Sequence, residues 1–240
     1  MAKKIKKTTI TTIEEFVNNK TQIICILDAS SSMKTILDEA RDGFNKFVAD
    51  QKELDGNATL TVVTFSSGGR DNGYNLLFNN KPIDQVEAIT ENEWYGNGMT
   101  ALYDAIGKTI TDVVDSHKKM SDDEKPDRVM VAIVTDGHEN ASREFNVVTI
   151  KSLISKMEKQ DWEFLYLAAD QDATLAGSII GISKGNTLSY SNTEKGNKVM
   201  FDSLSNATTM YRSYDSNVDT SNLMFNITGG KGIILDQDEE

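Results

Sequence analysis

One cysteine, two prolines and two histidines in 240 residues are few, and each scarcity excludes something. Cys25 stands alone inside the apolar run Ile23–Leu27, so no internal disulfide can form; it reads as a buried, inert thiol in a reducing compartment. Two histidines and one cysteine leave no cluster suited to zinc. Basic residues are in deficit, Lys+Arg 25 against Asp+Glu 37, for a net charge of −12. That balance argues against nucleic acid or an anionic membrane surface as partner, and for a field that concentrates cations. No stretch reaches the ~18 apolar residues of a membrane helix. The opening MAKKIKKTTITT is basic but lacks the apolar core of a secretory signal. Internal repeats and Gly/Ser- or Pro-rich linkers are also missing. A soluble, cytoplasmic chain built as one domain with extensions is expected.

What is present alternates. Residues 1–20 read as a basic arm followed by a short helix over 13–19, opened by the capping box Thr12-Ile13-Glu14-Glu15. Gln22–Leu27 is apolar throughout, as a strand covered on both faces must be. From Met33 the apolar residues Ile36, Leu37, Ala40, Phe44, Phe47 and Val48 follow a helical period. Thr59–Phe65 predicts a second strand, and the turn SSGGRDNG sends Tyr74–Phe78 back as an antiparallel edge strand. Helix Ala101–His117, strand Arg128–Thr135, helix Val147–Gln160, strand Trp162–Ala168, helix Ala173–Ile180, a short strand near Thr187–Tyr190 and helix Thr193–Tyr214 complete residues 21–214. Such alternation predicts an α/β fold: a doubly wound, Rossmann-like, mostly parallel six-stranded sheet with one antiparallel edge strand and helices on both faces. Residues 215–240 read as a polar, acidic tail.

Most enzyme chemistries fail on spacing. Gly107-Lys108-Thr109 looks like the end of a phosphate-binding loop, but Leu102 stands where a glycine is required and the triplet falls inside a helix. There is no G-x-S-x-G nucleophile elbow and no G-x-G-x-x-G after a strand. DASSS lacks the second aspartate of an aspartyl-phosphate phosphatase. His117, at a helix end, reads as a solvated cation. Hard-oxygen chemistry remains. Asp28, Ser30 and Ser32 leave the first strand as D-x-S-x-S, and Asp136 leaves the Arg128–Thr135 strand in VTDG. The glycine-bearing loop GNGMT brings Thr100 to the start of a helix. In an open parallel sheet, ligands bind beyond the carboxyl ends of strands at the switch point. Two carboxylates and three hydroxyls gathered there form an all-oxygen site suited to Mg²⁺ or Mn²⁺. The bland alternative is that Ser30, Ser32 and Thr100 merely cap helices and Asp136 merely makes a turn. Three such coincidences, each in its architectural place, weigh less than one site.

At these residues the chain resembles the von Willebrand factor A domain. DASSS, GMT and TDG match that family's metal-ion-dependent adhesion site, the MIDAS, with Asp28, Ser30, Ser32, Thr100 and Asp136 in its five positions. The resemblance runs from about Gln22 to Tyr214, and GFNKFVADQK, TALYDAIGKTI, TDGHENASREF and WEFLYLAADQDA look like small single-domain members from bacteria and bacteriophages. Met99 stands between Gly98 and Thr100 where the family often has Gly-Gly-Thr, and His138 and Glu139 replace a more usual Gly-Glu-type continuation, which puts an imidazole near the rim. The resemblance implies Mg²⁺, with Mn²⁺ or Ca²⁺ as substitutes, bound by the hydroxyls of Ser30, Ser32 and Thr100. Asp28 and Asp136 would act mainly through water, and no catalytic residue is implied. A partner protein would supply an Asp or Glu to the metal. The competing classes are a structural subunit of a phage particle with an incidental metal, and an Mg²⁺-dependent phosphohydrolase. The latter needs a base, for which only His138 or Glu139 is near. Oligomeric state is not legible.

Overall fold

The computed structural model describes residues 20–68, 73–213, 220–230 and 233–234. The predicted arm and the helix over 13–19 lie outside the described residues. In chain order the elements are β1 (Thr21–Asp28), a 3₁₀ turn (Ser31–Thr35), α1 (Leu37–Lys52), β2 (Ala58–Phe65), β3 (Tyr74–Pro82), α2 (Leu102–His117), β4 (Arg128–Thr135), α3 (Val147–Glu158), β5 (Trp162–Ala169), α4 (Ala173–Ile180), β6 (Thr187–Tyr190), α5 (Glu194–Ser213), α6 (Leu223–Ile227) and β7 (Ile233–Ile234). They form one sheet in the order β3-β2-β1-β4-β5-β6-β7. Every pairing is parallel except β2 with β3.

The unbroken apolar runs of β1 and β4 now have their reason. Side chains alternate across a strand, and here both faces are covered. Ile23, Cys25 and Leu27 of β1, with Met130, Ala132 and Val134 of β4, enter a core closed by Phe44 and Phe47 of α1 and Met200, Phe201 and Leu204 of α5. Ile24 and Ile26, with Val129, Val131 and Ile133, enter a second core closed by Ile106 and Ile110 of α2 and Ile150 and Ile154 of α3. The six expected strands and the antiparallel edge are present, and β7 pairs with β6 as a two-residue seventh strand. Strand β3 is irregular: its pairing with β2 shifts register twice, between Leu60 and Val62 and between Val62 and Val63. Asn80 takes a positive φ of 48°.

Two local expectations change. The helix predicted from Met33 begins as a 3₁₀ turn and becomes α-helical only at Leu37, because the backbone around Ser30–Ser31 is engaged with a neighbouring loop. The expected polar tail contains α6, whose Leu223 and Met224 are buried against the first core. Asn186 Oδ1 accepts the Leu223 N–H at 2.8 Å and docks that helix. A five-residue helix is too short to show a hydrophobic period.

The topology places the site. From β1 the sheet grows through β2 on one side and β4 on the other, so the connections diverge at the carboxyl ends of β1 and β4. Leu27 pairs with Val134, which sets Asp28 beside Thr135 and brings the residues after each strand to one crevice.

Candidate metal centre

Asp28 ends β1 and is fully buried. Its Oδ1 accepts the Ser30 N–H at 2.7 Å, and its Oδ2 accepts the Thr135 hydroxyl at 2.6 Å. The turn that follows is pinned by the loop before α2. Trp94, also fully buried, donates its indole N–H to the Asp28 carbonyl at 2.9 Å and meets Phe44 edge-on at 6.3 Å. Asn97 N–H donates to the Ala29 carbonyl at 2.8 Å, and Ser31 N–H donates to the Gly98 carbonyl at 2.9 Å. Gly98 has φ +73°, and a Cβ there would stand 2.6 Å from Gly68 N, so the close approach of these loops requires glycine.

The hydroxyls converge beyond this turn. Ser30 Oγ lies 2.9 Å from Ser32 Oγ, and Ser32 Oγ donates to Asp136 Oδ1 at 2.8 Å. Thr100 arrives from the α2 side. Its hydroxyl would be 2.8 Å from a Cβ on Gly137, so the glycine after Asp136 makes room for it. Thr100 N–H donates to Asn140 Oδ1 at 2.9 Å, and its carbonyl accepts Asn140 N–H at 3.0 Å. All five predicted residues therefore meet: Asp28, Ser30, Ser32 and Asp136 through hydrogen bonds, and Thr100 against Gly137.

The electrostatics favour a cation. Burial pushes the Asp28 carboxyl up to about 6, against the hydrogen bonds from Thr135 and Ser30 that favour its charge. Burial also raises Asp136, opposed by the Ser32 hydrogen bond and reinforced by Asp170. Asp136 Oδ2 is buried and has no hydrogen-bond partner among the described residues. Two carboxylates held in low dielectric, one oxygen without a donor and three neutral hydroxyls fit a small hard cation, which would compensate the charge. No group of three or more His, Cys, Asp or Glu among the described residues forms a metal cluster. The donor set is thus the mixed hydroxyl–carboxylate kind.

Two residues, Glu139 and His117, carry a different part from the one their sequence positions suggested, and Thr109 lies inside a helix as expected. Glu139 turns from the rim: it accepts Ala141 N–H at 2.9 Å, Ser142 N–H at 2.7 Å, Tyr103 N–H at 2.9 Å and the Ser142 hydroxyl at 2.7 Å, and so ties the loop after β4 to the start of α2. His117 is half-buried and not a solvated cation. Its Nε2 is 2.6 Å from Gln22 Oε1, its ring sits on Trp162, and burial lowers its pKa. Thr109 of the Gly-Lys-Thr triplet is buried in α2, 3.1 Å from the Tyr74 hydroxyl. Thr135, Trp94 and Asn140 were not singled out by sequence. Thr135 stood inside VTDG as an unremarked strand residue, and a tryptophan in an otherwise polar, glycine-bearing loop was the available signal for Trp94.

The rim is partly apolar. Tyr95 and Met99 are 45% and 55% exposed on the loop whose backbone is fixed by the bonds above. Tyr95 lines a cavity of about 350 Å³ together with Ala29, Ser66 and Asn75.

Residues 22–206 match the sequence model of the von Willebrand factor type A domain. Comparison with curated protein sequences finds no match. Among solved structures, proximal thread matrix protein 1 from the mussel byssus is similar with a TM-score of 0.55 at 15% identity, over 79% of this chain and 48% of that one. Another structure of that mussel protein, with a zinc-occupied MIDAS motif, gives 0.54 at 14% identity over 79% and 48%. The pilus adhesin SpaC from Lactobacillus rhamnosus GG gives 0.58 at 11% identity over 78% of this chain and 30% of that one. The chain thus spans less than half the length of these chains, and at such identities the likeness is one of fold.

Proposed function

Because the chain belongs to the von Willebrand factor type A domain family, we propose that it is a metal-ion-dependent protein-binding module with a complete MIDAS. Ser30, Ser32 and Thr100 hold the ion through hydroxyl oxygens, and Asp28 and Asp136 balance its charge. The observation that carries this reading is the hydrogen-bonded chain from Asp28 through Ser30 and Ser32 to Asp136, closed by Thr100 at Gly137. When bound, the cation supplies an electrophilic point that a partner's Asp or Glu carboxylate can join.

The residues do the remainder. Neutral hydroxyls hold an ion without quenching it, whereas a carboxylate cage would leave little attraction for an incoming acid. All-oxygen donors of this kind suit Mg²⁺, with Mn²⁺ as the close substitute. Tyr95 and Met99, exposed on a fixed backbone, offer apolar contact beside the docking point. A phosphohydrolase is poorly supported. Glu139, one of the two candidate bases, accepts four hydrogen bonds away from the rim and is committed to holding the loop after β4. Among the described residues no helix is long and apolar enough to cross a membrane. The acidic balance of −12 favours a protein over nucleic acid as partner.

The test is affinity capture from bacterial lysate on the immobilised protein, in Mg²⁺ and again in chelator, with Asp136→Ala as control. A defined protein retained only with Mg²⁺ and only by the wild type supports the reading. Capture indifferent to both chelator and Asp136 would overturn it.

A further inference from the structure

Thr135 occupies none of the five metal positions, yet its hydroxyl joins the strands that carry the two carboxylates. The residue is fully buried at the end of β4. Its Oγ1–H donates to Asp28 Oδ2 at 2.6 Å, and its Oγ1 accepts the Gly137 N–H at 3.2 Å. The Gly137 carbonyl is also within 3.1 Å, but a hydroxyl has one proton, and the shorter, charge-assisted bond to the carboxylate takes it. That carbonyl accepts instead from Gln171 Nε2 at 3.4 Å.

We propose that Thr135 is a positioning residue of the metal centre. It fixes the rotation of the Asp28 carboxylate and ties the Asp136–Gly137 turn to it, so that both carboxylates are set before a cation arrives. The inference rests on the metal-binding reading of the site. Asp28 has two oxygens and each is gripped from a different strand end: Oδ1 by the Ser30 amide of its own loop, Oδ2 by Thr135 of β4. Without the second grip the carboxylate pivots about the first. The side chain suits this task because its short hydroxyl reaches the carboxylate directly from the neighbouring strand end. Its reach extends one step further. Gly137 abuts the Thr100 hydroxyl, so a turn released from Thr135 also moves the wall against which Thr100 sits.

The experiment uses the full chain with Thr135→Val, which keeps the shape and removes the hydroxyl, and Thr135→Ser, which keeps the hydroxyl. Mg²⁺ affinity is measured by calorimetry, and the amide proton of Ser30 is followed by NMR in chelator, without metal. Loss of an outer hydrogen bond of this kind weakens metal binding about 10–100-fold. That loss is expected for Val, together with a displaced Ser30 signal. Ser should keep wild-type affinity and the wild-type Ser30 signal. Val binding as tightly as wild type, or Ser as weak as Val, overturns the proposal, the latter because the methyl group would then be the part that matters. Should Val not fold, Thr135→Ala against Thr135→Ser makes the same comparison. If the wild type itself binds no Mg²⁺, the metal reading fails, and the metal-free Ser30 signal alone decides whether Thr135 holds Asp28.

Discussion

Replacing Asp28 by asparagine should stabilise the metal-free protein, although it removes a residue assigned to the site. The carboxyl is buried and its pKa is pushed from 3.8 up to about 6. An acid raised in the folded state binds its proton more tightly there than in the unfolded chain. Between pH 3.8 and about 6, stability from this group therefore falls as pH rises, and the full cost is present above 6. At 1.36 kcal/mol per pKa unit the cost is about 3 kcal/mol at pH 8, an order-of-magnitude figure. Asparagine carries no charge and can keep the local bonds. Its oxygen accepts the Ser30 N–H, while the Thr135 hydroxyl turns to donate to the Gly137 carbonyl, 3.1 Å away, and to accept from the new amide. For a domain of this size 3 kcal/mol corresponds to roughly 6–12 °C in melting temperature. Thermal unfolding in chelator should show Asp28→Asn melting above wild type at pH 8, with the gap narrowing toward pH 5. Added Mg²⁺ should raise the wild type, by about 2.7 kcal/mol at a hundredfold excess over Kd, and leave the variant where it was. An Asp28→Asn protein that melts below wild type in chelator at both pH values would refute the claim that burial strains this carboxylate.

Asp28→Ala and Thr100→Ala should each abolish Mg²⁺ binding in calorimetric titration while circular dichroism stays native, since Asp28 is the last residue of β1, Thr100 lies in the loop before α2, and neither belongs to either core; tight binding by both variants would remove them from the site. Purified protein with Mg²⁺ should turn over generic phosphate esters and nucleotides only at background, and a rate lost specifically in Asp28→Ala would reveal an enzyme. The Cys25 thiol, fully buried and pushed up to about 12, should react with a disulfide reagent only as fast as the chain unfolds; rapid reaction of native protein would contradict its placement.

The strands and the meeting of the five proposed site residues at one crevice were legible for the same reason. A strand covered on both faces must be apolar without interruption, and the point at which β1 or β4 turns polar marks the sheet's carboxyl edge: Asp28 ends one such run and Asp136 stands just past the end of the other. Thr100 was legible through the glycines before it. Residues that act by holding others were not. Thr135 looks like any β-branched strand residue, and its part depends on Asp28 lying beside it across a parallel pairing more than a hundred residues away. Glu139 seemed to face the rim because it follows Asp136 closely, yet the unpaired amides at the start of α2 draw its carboxylate away. Similarly, nothing local in His117 tells that Gln22 and Trp162 enclose it. Helix α6 escaped notice because its docking depends on Asn186, in the 3₁₀ turn before β6 and distant in sequence.

The outer edge of the sheet bears on how copies of this chain can meet. An edge strand with regular pairing offers a neighbour a row of free amides and carbonyls, and growth of one sheet into the next is a common route to aggregates. Strand β3 offers no such row. Two register shifts twist it against β2, Asn80 breaks its extended path at φ 48°, and Lys81 and Pro82 finish it. A second molecule laid along this edge would find its hydrogen bonds out of phase within a few residues. Edge-to-edge growth at β3 is thereby disfavoured by the irregularity of the strand itself.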